Sequence, residues 1–144
     1  PANIFVAGFI GSPQMNFIDA TVVKEGGELF LEYGDHHRVI LTPERAAKLA
    51  DYVGREVTFG IRPEDVHDSQ AFISNSPDSV IESTIKVYEL LGAEVFLYFD
   101  VEGTQLTARV NPRTTLRTGD HAVFALDMEK IHLFDKDTEL TITN

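Results

Sequence analysis

Five histidines and an excess of carboxylates are the side chains of this chain able to hold a metal or move a proton. His36 and His37 follow Asp35, but neighbours in an extended strand point to opposite faces, so the two imidazoles do not easily share one ion. His67, with Asp68 beside it, His121 and His132 lie far apart and lack the H-x-x-E-H type of spacing. They are expected to be ordinary surface or turn histidines, with no protein-borne metal site. Glu64-Asp65 and Asp35 are the most suggestive carboxylates, yet nothing marks a general acid and its partner. Ser12, Ser69, Ser74, Ser76, Ser79 and Ser83 stand outside any G-x-S-x-G frame. The absence of cysteine removes thiolate catalysis, thiolate metal sites and disulfides. No G-x-x-x-x-G-K-S/T phosphate loop occurs, and Gly8 and Gly11 are flanked by large apolar residues with no Lys after them. ATP binding in the P-loop manner is therefore not expected. No catalytic residue, cofactor or metal is assigned to this chain, and a small hydrolase has no motif behind it.

Arg62 is the cation with the most defined setting. In Gly60-Ile61-Arg62-Pro63-Glu64-Asp65, Pro63 removes a backbone donor and pushes Arg62 to extended geometry. Gly60 permits close backbone approach at a strand end. A guanidinium is a rigid fork of donors suited to a carboxylate or to carbonyls. Arg62 is expected to anchor the strand end to an acid of the same chain; contact with another subunit is the competing role.

The elements that carry these residues are mostly β. Asn3 to Ile10 has the spacing of a short helix that Gly11-Ser12-Pro13 would stop. A strand begins at Phe17, Glu25-Gly26-Gly27-Glu28 is a hairpin turn, and Leu29–Tyr33 is the return strand. After Gly34-Asp35, His37–Leu41 forms a third strand. Thr42-Pro43 starts a helix, with Thr42 as cap and Pro43 at the first helical position. Arg45 occupies the position where a capping box would have Glu. Ala46, Ala47, Leu49, Ala50 and Val53 supply an apolar stripe, and Gly54 ends it. Glu56–Ile61 is a fourth strand. His67 to Asp78 reads as a loop between two halves, about 1–68 and 79–144. In the second half, strands are expected over Ser79–Leu91, Ala93–Val101, Thr104–Asn111, Asp120–Asp127 and Lys130–Phe134. Five short strands with regular turn signals indicate a small barrel or sandwich. The helix between strands three and four of the first half is where an OB-fold places one. The fold class is thus mostly β, with OB-fold-type β-barrel subdomains and one or two short helices.

Bulk properties fit one domain or two small ones packed as a unit. At 144 residues, 43% hydrophobic and 24% charged, the chain is long and apolar enough for a core. No apolar run approaches the ~20 residues of a membrane span, and no basic n-region precedes an apolar stretch at the start. The net charge is −11, with 12 Lys and Arg scattered along the chain. A nucleic-acid partner needs a basic face, so none is expected, and an anionic lipid surface is disfavoured likewise.

Four stretches carry a family resemblance. Phe5 to Phe17, with Phe5, Gly8, Phe9, Gly11, Pro13 and Asn16, is the first. Gly60 to Val66, with Gly60, Arg62, Pro63 and Glu64, is the second. Glu89 to Glu94 around Gly92 and Ile131 to Glu139 with His132 and Phe134 complete the series. In this order they resemble the C-terminal regulatory region of the ATP-binding subunit of sugar ABC importers, the maltose/maltodextrin class. The resemblance implies transport-associated OB (TOBE) folds and a nucleotide-binding domain, carrying ATP and Mg, that precedes Pro1 and is absent from this chain. The opening at Pro1 without Met is what an excised segment would show. It also implies a twofold homodimer of ATPase subunits, membrane permease subunits reached indirectly, and in some relatives a cytoplasmic regulatory protein. The expected location is the inner face of the cell membrane, on the cytoplasmic side. The transported sugar (oligosaccharide, maltose-type or glycerol-phosphate-type) is set elsewhere. The alternative is a free-standing small-ligand or oxyanion-binding OB-type protein, whose mark would be a Ser/Thr/Lys-rich loop cluster. That cluster is absent from the sequence, and a charge of −11 repels anions.

Overall fold

Turn chemistry and alternation lay out the strands as expected over most of the chain. A computed structural model describes residues 3–4 and 14–143. Most of the helix expected over Asn3–Ile10, together with motif positions Phe5, Gly8, Phe9, Gly11 and Pro13, lies outside the described residues. In chain order the described strands and α-helices are β1 (Asn16–Glu25), β2 (Glu28–Tyr33), β3 (His37–Ile40), α1 (Pro43–Lys48), β4 (Glu56–Ile61), β5 (Val66–His67), α2 (Gln70–Asn75), β6 (Val80–Leu91), β7 (Glu94–Val101), β8 (Thr104–Val110), β9 (His121–Leu126), β10 (His132–Asp135) and β11 (Thr141–Thr143). Two compact units result. One takes the described residues up to Ile61 and those from Met128 on; the other is Arg62–Asp127.

The first unit is a six-stranded sheet in the order β11-β10-β4-β1-β2-β3. Gly26 and Gly27 turn β1 into β2 with φ of 61° and 82°, backbone that a Cβ would strain. Alternation along β2 turns Leu29, Leu31 and Tyr33 into the core. Thr42 caps α1 as expected, its hydroxyl accepting from the Arg45 amide at 3.4 Å, and Pro43 sits at the first helical position. The buried face of α1 differs from the expected apolar stripe. It is Arg45 and, one turn on, Leu49 that are buried, whereas Ala47, Ala50 and Val53 are exposed. The helix stops at Lys48, and a single 3-10 turn, Ala50–Tyr52, leads towards β4.

The second unit is a five-stranded sheet, β5-β9-β6-β7-β8, in which β5 also lies against β8, so the sheet nearly closes as an OB-type barrel. Its core holds Phe99 stacked on Phe124 at 4.5 Å between centroids, with Ile85, Leu97 and Leu106 fully buried. Two expectations are corrected. The His67–Asp78 stretch is not all loop: Ser69 accepts from the Phe72 amide at 3.3 Å and caps α2. The segment Lys130–Phe134, expected as the fifth strand of the second half, instead pairs with β4 in the first sheet. In space the halves are therefore not 1–68 and 79–144. The chain leaves the first unit at Ile61 and returns to it at Met128.

Candidate functional site

Motif residues from distant parts of the sequence meet at one glycine of the first unit. Gly60 on β4 stands opposite Phe17 of β1 on one side and His132 of β10 on the other. Asn16, buried, stands opposite the next residue, Ile61. A methyl group added to Gly60 would lie 2.5 Å from Met15 Sδ and 3.3 Å from the Phe17 ring. This is the close approach anticipated for Gly60, here by a thioether and an aromatic edge. Phe17 meets Phe134 edge to face at 6.0 Å, and Ile4 joins Met15 and Phe134 in the same cluster. Asn16, Gly60, His132 and Phe134 are thus brought together; Gly92 is not, being the exposed left-handed turn between β6 and β7, with φ of 61°.

Arg62, Pro63 and Glu64 open the second unit. Arg62 is extended (φ −75°, ψ 150°), Pro63 is buried in a 3-10 turn, and the Asp65 amide donates to the Arg62 carbonyl at 2.9 Å. Glu64 is exposed. The Arg62 side chain, half-buried, makes no ion pair or side-chain hydrogen bond among the described residues, so the carboxylate anchor expected for it is not seen. A buried guanidinium does tie the first unit together, but it belongs to Arg45. Its Nε donates to the Ile131 carbonyl at 3.2 Å and its Nη2 to the Glu129 carbonyl at 2.7 Å. Sequence reasoning passed over Arg45 because a charge at the third position of a helix reads as solvated. The one signal was the departure from capping-box chemistry at that position.

Two acids of the first unit, Asp135 and Asp19, are held by named donors. Asp135 accepts from the Tyr52 hydroxyl at 2.9 Å and from the Asp137 and Thr138 amides. The Thr138 amide first, and then the Tyr52 hydroxyl, hold the Asp135 carboxyl below the usual carboxylate range; the same hydroxyl contact raises Tyr52. For Asp19 burial pushes the carboxyl up, but Lys136 and the Thr58 hydroxyl outweigh it and the net shift is downward. These are structural pairs on β1, β4 and the β10 end, not an acid and base aimed at a cavity.

In the second unit Asp68, Ser69, Arg113, Thr114 and Thr115 line an open polar groove of about 360 Å³. The Thr114 hydroxyl donates to Asp68 Oδ2 at 2.7 Å. This is the nearest approach to a Ser/Thr-rich loop cluster, and it is assembled from two separated segments. Of the histidines, His36 lies in a left-handed turn at φ 65°, His37 stacks on Tyr33, and His121 contacts Glu82 at 3.2 Å. His67 and His132 depart from the surface-turn expectation: His132 is half-buried on β10, and His67 lies half-buried near Asp65 and Asp127.

Comparison with known proteins gives this geometry a family. The family model of the MalK OB fold domain matches residues 11–66, and that of the TOBE domain matches residues 75–133. Along the sequence these ranges divide the chain near the expected boundary, although in space the C-terminal strands join the first sheet. The oligosaccharides import ATP-binding protein MsmX of Bacillus subtilis is 38% identical over 99% of this chain and 38% of its own length. The trehalose/maltose import ATP-binding protein MalK of Thermococcus litoralis is 40% identical over 96% of this chain and 37% of its own. The multiple sugar-binding transport ATP-binding protein MsmK of Streptococcus mutans is 38% identical over 99% of this chain and 37% of its own. The chain thus spans under two fifths of the length of these relatives. Among solved structures the cytoplasmic molybdate-binding protein ModG superposes with a TM-score of 0.65 at 20% identity, over 82% of this chain and 94% of that one, a likeness of fold. The chain carries a MalK OB fold domain followed by a TOBE domain, and the relatives it matches are ATP-binding subunits of sugar ABC importers.

Proposed function

We propose that this chain is the regulatory and dimerisation region of the ATP-binding subunit of a sugar ABC importer. The observation that carries this reading is that relatives named for sugar import match it over 96–99% of its length, through both of its OB-type units. ATP and Mg then belong to a nucleotide-binding domain outside this chain, since its sequence has no phosphate loop. The partners are that domain, a second ATPase subunit and, through them, the permease at the cytoplasmic face of the membrane; a cytoplasmic regulatory protein is a further candidate. A free-standing oxyanion binder has only the fold likeness to ModG in its favour.

The test is a chimera. The segment of the Bacillus subtilis MsmX subunit that matches this chain is replaced by residues 1–144, in cells lacking the native subunit. Oligosaccharide uptake should be restored, and the purified chimera should sediment as a dimer. A folded chimera that hydrolyses ATP but stays monomeric and supports no uptake would overturn the reading. The isolated chain should give no calorimetric heat with Mg-ATP.

A further inference from the structure

We propose that Asp65, His67 and Asp127 form a binding site for one divalent transition-metal ion in the second unit. Strand register creates the arrangement. β5 pairs antiparallel with β9, Val66 opposite Leu126 and His67 opposite Ala125. The next step of this register sets Asp65 across from Asp127, and the Asp127 amide donates to the Asp65 carbonyl at 3.0 Å. Asp65 ends the 3-10 turn that leads into β5, and His67 closes that strand two residues on. One ligand atom from each of the three residues lies within 4.8 Å of the others. The His67 ring is held from the side by Phe72 of α2, stacked at 4.1 Å with planes 19° apart. Imidazole orientation is therefore set by packing before any ion arrives. Asp65 is only 7% exposed, whereas His67 and Asp127 are half-buried, so an ion is reached from one side and retains water on its open positions.

The donor set selects the class of ion. Two carboxylates balance the charge of a divalent cation, and an imidazole nitrogen favours zinc, cobalt, nickel or copper over magnesium or calcium. Ligands bound at about 2.0–2.2 Å sit roughly 3–3.5 Å from one another. The three side chains thus close inward by about an ångström, a movement within reach of their terminal torsions. The net charge of −11 raises the local concentration of cations around the chain.

The experiment titrates the 144-residue chain, stripped with chelator, with Co²⁺ at pH 7 while visible absorption is followed, and with Zn²⁺ by calorimetry. One equivalent should bind, with d–d bands that include a nitrogen ligand, and the melting temperature should rise with Zn²⁺. His67→Ala and Asp127→Asn should each weaken binding roughly tenfold or more while circular dichroism is unchanged. His121→Ala, which removes the other histidine–carboxylate contact of this unit, should bind like the parent. Absence of binding at millimolar metal, or parent-like binding by both His67→Ala and Asp127→Asn, overturns the site. So does loss of binding on His121→Ala alone. Asp65 is not substituted, because its burial makes it a fold position as well.

Discussion

Chain that returns from far along the sequence completes the first unit, whereas a single continuous segment makes the second. In the first, β10 and β11 extend the sheet beyond β4, and Arg45 reaches 84 and 86 residues along the sequence to the carbonyls that receive it. In the second, every strand of the sheet lies within residues 62–127, and β6, β7 and β8 follow one another as hairpins. Local pairings close small loops and form early; pairings of high sequence separation cost more chain entropy before they give anything back. The first unit is therefore expected to be the more vulnerable to damage at the C-terminal end of the chain, even though it contains most of the converging motif residues.

Removing residues 128–144 is the largest expected break in this comparison. It strips Ile131, Leu133 and Phe134, all fully buried, and leaves β4 an open edge. Amide exchange should show loss of protection throughout β1–β4 and its retention in β6–β9; simultaneous loss in both units would end the distinction. Arg45→Ala comes next, leaving the Glu129 and Ile131 carbonyls without their donor. The cost should be about 1–3 kcal/mol, that of the one buried acceptor left unsatisfied, the Ile131 carbonyl, since Glu129 is exposed to water, read from denaturant unfolding of the first unit. Gly60→Ala should cost about 1–3 kcal/mol through overpacking against Met15 and Phe17, and Met15→Ala should recover part of it. Arg62→Ala, which removes no ion pair among the described residues, should stay within about 0.5 kcal/mol; a large loss would restore the anchoring role to Arg62.

The smallest effect is on acid stability. Asp19 and Asp135 have folded values below the ordinary carboxylate value of about 3.9. Their contribution is complete above that value and is lost as pH falls through the folded values. Asp135→Asn should flatten the decline of melting temperature below about pH 4, and unit-specific amide exchange should place the change in the first unit.

What the sequence made legible was local. Gly26-Gly27 and Thr42-Pro43 each announce themselves by backbone chemistry that only a few residues can meet, and the turn and the cap are where they were expected. α2 was missed because it is six residues long, capped by one serine among several, and too short for an apolar period to emerge. The return of Lys130–Phe134 to the first sheet was missed because nothing within that segment names its partner strand; β pairing is decided by what else is already in place. Arg45 and the Asp65–His67–Asp127 grouping were missed for the same reason. Side chains from separated segments become neighbours only through register, and a charge in isolation reads as solvated.

The hydrogen bond from the Asp127 amide to the Asp65 carbonyl has a consequence for ancestry and engineering. It holds Asp127, the last residue of the 62–127 segment, against Asp65, three residues in from its first. A segment whose two ends meet behaves as an insertion: it can be excised and the gap spanned by a short turn, or another module with adjacent termini can be spliced into its place. The second unit is in that sense a cassette carried in a loop of the first.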